Sequence, residues 1–188
     1  MSLTLDGSTG ISSLGAITTS SSLTTGTGAI YNSIQSGTAV ASTSGTTIPF
    51  TSIPSWAKRI TVMLVGVSTS GTSNIQMQLG SGSTTTTGYL SGASYNAVSS
   101  LGTANSTTGL VIEGTTQSAS NIRHGQVIIS NVTGNTWVSS AIIGQSQTTA
   151  ASFAGGSITL SGVLDRVVVT TVNGTDTFDA GSINILYE

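Results

Sequence analysis

The stretch Arg59-Ile60-Thr61-Val62-Met63-Leu64-Val65-Gly66-Val67-Ser68 decides how this chain is read. Its β-branched residues favour extended backbone over helix. Successive side chains of a strand alternate between faces. Ile60, Val62, Leu64 and Gly66 therefore share one face, and Thr61, Met63, Val65 and Val67 share the other. Both faces are apolar, which is the pattern of a central strand covered on both sides.

Weaker strands surround it. Thr46 to Ile53 is a short β run interrupted by Pro49 and followed by Pro54. Proline removes a ladder donor, so this run belongs at a sheet edge or a strand end. From Asn74 to Leu79, Ile75, Met77 and Leu79 alternate with Asn74, Gln76 and Gln78, as in a half-buried strand. Gly80 to Asn105 is rich in Gly, Ser and Thr and reads as long loops carrying Tyr89 and Tyr95. Leu110 to Ile112 resumes a strand. Arg123 to Ser130 and Thr136 to Ile143 flank Asn131-Val132-Thr133-Gly134-Asn135 as a hairpin. Ser157 to Leu160, Val167 to Val172 and Ser182 to Tyr187 follow, with Asn173-Gly174 turning the chain between the last two.

No segment sustains a helical apolar period. The expected class is all-β: an antiparallel β-sandwich, jelly-roll-like, spanning residues 37–188 as a head. Residues 1–36 differ. Leu3, Leu5, Ile11, Leu14, Ile17, Leu23, Ile30 and Ile34 stand singly in a Ser/Thr/Gly background, too few to make a core. They are expected to form an extended arm that orders only in an assembly.

Composition narrows the function. Only 5% of the 188 residues are charged, against about 25% in an ordinary soluble domain. Four basic residues make no stripe able to neutralise phosphates, which argues against nucleic-acid binding. There is no cysteine, hence no disulfide and no thiolate metal site. The start, Met1-Ser2-Leu3-Thr4-Leu5-Asp6, lacks the basic and apolar regions of a signal peptide, and no apolar run approaches membrane-spanning length. So few charges also leave strand edges without lysine gatekeepers, a liability that a tight oligomer removes. A homotrimer is the expected state.

Motifs for chemistry are sparse. The single histidine, His124, lies in Asn121-Ile122-Arg123-His124-Gly125, without a nucleophile elbow anywhere in the chain, and reads as structural or superficial. Six carboxylates are thinly spread, and no facing acid/base pair is evident. Asp176 and Asp179 share one loop; it could hold a hard cation through oxygens, though turn hydrogen bonding accounts for both residues. Asp165-Arg166 reads as a local ion pair. Glycine-rich phosphate loops are absent, and no cofactor is expected. Trp56 is expected to pack at a corner of the sandwich and Trp137 in its core. The aromatic residues best suited to an exposed contact are Tyr89 and Tyr95, each offering a ring face and a hydroxyl.

The run Phe50-Thr51-Ser52-Ile53-Pro54-Ser55-Trp56-Ala57-Lys58-Arg59-Ile60-Thr61-Val62-Met63-Leu64 resembles a segment recurrent in tail-fibre and related structural proteins of tailed bacteriophages. Gly66 to Ile75, Arg123-His124-Gly125 and the ending Phe178 to Glu188 continue the likeness. The start, Leu3-Thr4-Leu5-Asp6-Gly7-Ser8-Thr9-Gly10-Ile11, is similar to shaft repeats of phage fibres. The resemblance implies a non-enzymatic virion protein, made in the host cytoplasm and displayed on the particle. It further implies a homotrimer with a β-sandwich head, an N-terminal arm docked to other virion proteins, and attachment to a host surface glycan or protein. A capsid decoration protein is the alternative. A carbohydrate-binding or adhesin domain from a cell stands behind both, and a capsule-degrading enzyme behind that.

Overall fold

The computed structural model describes residues 34–114, 117–147 and 149–188. Fourteen strands run through them: β1 (Gln35–Ser36), β2 (Val40–Ala41), β3 (Thr47–Thr51), β4 (Arg59–Thr69), β5 (Ile75–Ser81), β6 (Ser83–Thr84), β7 (Leu90–Ala97), β8 (Leu101–Ser106), β9 (Leu110–Val111), β10 (Arg123–Thr133), β11 (Thr136–Gln145), β12 (Ala150–Thr159), β13 (Arg166–Thr171) and β14 (Phe178–Tyr187). No helix occurs among the described residues. Nine strands make a wide antiparallel sheet in the order β1-β14-β4-β10-β11-β12-β7-β8, with β2 also on β14. The other five make a smaller one, β3-β13-β5-β6, with β9 also on β5. The two pack face to face as a sandwich.

The core lies between the sheets. From the wide sheet, β4 sends in Ile60, Val62 and Leu64, β10 sends Val127 and Ile129, and β14 sends Ile183 and Ile185. From the small sheet come Ile48, Phe50, Ile75, Met77, Leu79, Val167 and Val169. β3 is an edge, paired with β13 alone, so Pro49 costs no ladder bond. Trp137 is core, and Trp56 packs on Tyr187 with ring centroids 5.8 Å apart. The hairpin of β10 and β11 forms as its turn residues require: Gly134 takes a φ of 51°, and the Asn131 side chain donates to its carbonyl at 2.9 Å.

Three expectations change. β4 is central, between β14 and β10, but only one of its faces is covered; Val65 on the other is 61% exposed. Gly80 to Asn105 is mostly strand, because β7 and β8 pair along their length from Ser91↔Ser106 to Asn96↔Leu101. Their inward residues include the small Ala93 and Gly102, so the alternation is faint in the sequence. Gln76 is buried rather than solvated: the hydroxyls of Ser106 and Thr108 donate to its carbonyl at 3.0 and 3.2 Å.

Gln35 and Ser36, assigned from sequence to the arm, form β1 and pair with Tyr187 and Leu186. The remainder of the expected arm, residues 1–33, lies outside the described residues.

Val62 and Leu64 are 0% and 2% exposed on the covered face of β4. Replacing either by Asp should cost about 4 kcal/mol or more, since a buried charge there has no partner. Urea denaturation of Val62→Asp and Leu64→Asp checks this. A loss below about 1 kcal/mol would contradict the placement of β4.

Candidate functional site

The tyrosines expected at an exposed contact are interior. Tyr89 is 0% and Tyr95 4% exposed, which corrects their assignment as an exposed receptor-binding pair. Tyr89 enters β7 just after Gly88, whose φ of 84° suits glycine. Its hydroxyl accepts the Leu79 N–H at 2.7 Å and donates to the Thr85 carbonyl at 2.9 Å, tying the small sheet to the start of β7. Tyr95 faces inward on β7 beneath Gly114, where a side chain would fall 2.7 Å from the Tyr95 nitrogen.

The loop carboxylates serve the fold. Asp176 accepts from the Ser73 N–H at 2.9 Å and from the Asn173 side chain at 2.7 Å, and Asp179 accepts from the Ser68 hydroxyl. Arg166 donates to Asp165 at 2.8 Å. No group of three or more His, Cys, Asp or Glu is gathered among the described residues.

The structure instead brings together a concavity of about 640 Å³ at one end of the wide sheet. It is shallow and wide open to solvent, unlike the enclosed clefts that bury most of a small molecule. Gly144, Ala97, Ala150 and Ala151 give it an apolar floor. Asn96, His124, Gln145, Ser146 and Thr149 supply polar atoms, and no charged residue lines it. Thr149, in the turn between β11 and β12, holds a φ of 43°, an uncommon value for a β-branched residue.

A run of bulges sets His124 at the rim. β4 slips against β10 between Arg123 and Gly125, and β14 slips against β4 around Ala180. Gly66 and Gly181 meet there at φ values of 69° and 91°; a Cβ on Gly181 would sit 2.4 Å from the Gly66 carbonyl oxygen. Bulges bend a strand and re-aim its side chains. Here the Gly66 N–H donates to His124 Nδ1 at 3.3 Å, while Nε2 lies 3.4 Å from the Ser146 hydroxyl. With Nδ1 accepting, a neutral ring carries its proton on Nε2 and donates toward Ser146. That is the reverse of a general base acting on serine, whose Nε2 must accept.

Beneath the floor is a polar network. Arg123 and Glu113 are both 0% exposed and pair at 2.6 Å. Arg123 also donates to the Asn121 carbonyl at 3.2 Å and to the Gln117 side-chain carbonyl at 3.3 Å. Gln145, part of the concavity wall, donates to the same Gln117 oxygen at 2.7 Å. The other Glu113 oxygen accepts the Ile75 N–H at 2.9 Å, linking the network to the small sheet. The concavity is thus held from below by groups that have exchanged water for one another.

The outer face of the wide sheet continues from this concavity. One cross-strand row reads Met63, Gln126, Ile142, Phe153, Ser94. The next reads Thr61, Ile128, Ser140, Gly155, Gly92, and a third Arg59, Ser130, Val138, Ser157, Leu90. Arg59 is the one charged residue in these rows, and it is paired with Glu188.

Sequence reasoning singled out His124 and left its surroundings unread. The isolated Gly66 within a strand pattern was the available sign of a bulge. Comparison with protein-family models, with curated proteins and with solved structures finds no match.

Two outcomes follow from the buried groups. Glu113→Ala should lose about 3–5 kcal/mol, because it strands the Arg123 charge, whereas Glu113→Leu with Arg123→Met should recover much of that loss. Urea denaturation measures both; a cost below about 1 kcal/mol for the single variant would contradict the network. Burial raises the Tyr89 hydroxyl from 10.0 to about 12, against a smaller lowering by the Leu79 hydrogen bond. Below pH 10 the proton is held in both folded and unfolded chains, and the contribution is whole. Between about pH 10 and 12 only the unfolded chain releases it, so on the order of 2–3 kcal/mol is lost as pH rises. Tyr89→Phe should flatten that part of the alkaline stability profile; an unchanged slope would show that other groups set it.

Proposed function

We propose that this chain is a non-enzymatic structural protein of a bacteriophage particle, a homotrimeric tail-fibre or receptor-binding module displayed on the virion. Its contact with the host is through the concavity at His124, not through Tyr89 and Tyr95. The observation that carries this reading is an open concavity, lined by no charged residue, on a β-sandwich beside the buried Glu113–Arg123 network. A rigid sheet end with an apolar floor and neutral polar walls suits an uncharged host-surface group, a glycan or a neutral protein segment. The near absence of charge suits a component that spends its life packed in an assembly. Residues 1–33 are the part left to dock onto other virion proteins.

The test is adsorption of the purified full-length protein to cells of the strain on which the particle grows. The wild type should adsorb with little change between low and high salt, since few charges are there to be screened. Ala151→Trp, which fills the concavity, should reduce adsorption at least tenfold with the fold intact. Unchanged adsorption by this variant would remove the concavity as the contact. Gold labelling of intact particles should mark the tail; label on the head, with no adsorption by the wild type, would replace this reading with a capsid decoration protein.

A further inference from the structure

We infer that the outer face of the wide sheet is where copies of this chain pack on one another. The inference rests on the oligomeric part of the proposed function and deepens it by naming the surface.

The first ground is a mismatch between pattern and coverage. Met63 and Val65 give β4 an apolar second face, yet Met63 is only half-buried and Val65 is 61% exposed. The second ground is that the exposure is shared along the sheet. Ile142 and Phe153 are direct cross-strand partners and stand 63% and 47% exposed; Leu90 and Leu101, on β7 and β8, stand 73% and 79% exposed. Between them lie Ser140, Gly155 and Gly92, small residues that keep the surface flat enough for another sheet to approach.

The third ground is size. From β14 to β8 the sheet is seven strands wide. At about 4.8 Å between strands and about 3.4 Å per residue, that width over six residues of β4 gives a face of roughly 30 Å by 20 Å. Its projected area, about 600 Å², approaches the roughly 800 Å² per partner of a stable interface. Within it Ile128, Val138, Ile142, Phe153 and Leu90 alternate with small and uncharged polar residues, a mixture that can be buried without stranding a charge.

Charge selects the occupant. An ordinary protein surface, about a quarter charged, would bury charges against a face that offers no counter-charge. This chain's own outer face carries Arg59 at its margin and no other charge in its three central rows. A second copy is therefore the partner that can be desolvated here without stranding a charge. The concavity, at the far end of the face beyond the Ile142–Phe153 row, is at the edge of this contact.

The experiment uses the full-length chain. Its mass in solution at micromolar concentration is measured for the wild type, for Ile142→Glu with Phe153→Glu, and for the milder Phe153→Ser with Val65→Lys. Circular dichroism and thermal unfolding report whether each variant is folded. Because the chain has no cysteine, a Ser140→Cys variant can also be challenged with a short bis-maleimide. The expected results are a wild type of more than one chain, folded variants shifted to the mass of one chain, and intermolecular cross-links at position 140. A multimeric wild type whose folded variants stay multimeric would overturn the choice of face and leave the oligomer standing. A monomeric wild type would overturn both. Protection of position 140 without intermolecular cross-links would overturn the inference in favour of residues 1–33 covering their own head.

Discussion

A sheet of nine strands faces a sheet of five, and the core of this molecule lies where the two overlap. The small sheet covers the inner face of β14, β4 and β10, where Ile60, Val62, Leu64, Val127 and Ile183 meet Val167, Met77 and Phe50. It reaches β7 and β8 only with the two-residue β9, and the described residues after that strand, 112–114 and 117–121, are irregular. Irregular backbone cannot satisfy its polar groups with a ladder, so side chains must do so. Gln117 and Arg123 donate to the Gly114 and Asn121 carbonyls, and Glu113, Asn121 and Gln145 bond to those two side chains, so the two buried charges sit within one network. A buried pair of this kind is weak as a source of net stability. Its effect is to hold one arrangement of that irregular segment, and with it the floor of the concavity above.

The outer face of the wide sheet is on the side away from the small sheet, as in any two-layer sandwich. A lone sandwich normally presents polar residues outward along each strand. Here Met63, Val65, Ile142, Phe153 and Leu90 stand outward among Thr61, Gln126, serines and glycines, with Arg59 at the margin. The bulges at Gly66 and Gly181 then bend β4 and β14 at one end of that face and turn His124 toward its backbone partner.

Much of the fold was legible in the sequence because its signals are local. β-Branched alternation announced β4, Pro49 announced an edge, and Gly134 announced the turn of the β10–β11 hairpin. What was missed depends on partners distant in sequence. Ala93 and Gly102 are too small to signal an inward face, so β7 and β8 read as loop. Tyr89 looked exposed among serines and threonines, but its hydroxyl completes the hydrogen bonding of Leu79 and Thr85. The apolar second face of β4 was read as covered, but among the described residues Val65 on that face stands 61% exposed.

The central claim is that the outer face of the wide sheet is buried in the working protein. Hydroxyl-radical footprinting of the full-length protein addresses it directly, since Met63 and Phe153 are reactive side chains when water reaches them. The account predicts that both are protected at high protein concentration and become reactive on dilution, while Val98, 89% exposed at the β7–β8 turn, serves as the reference. Full reactivity of Met63 and Phe153 at high protein concentration, equal to that on dilution, would contradict it.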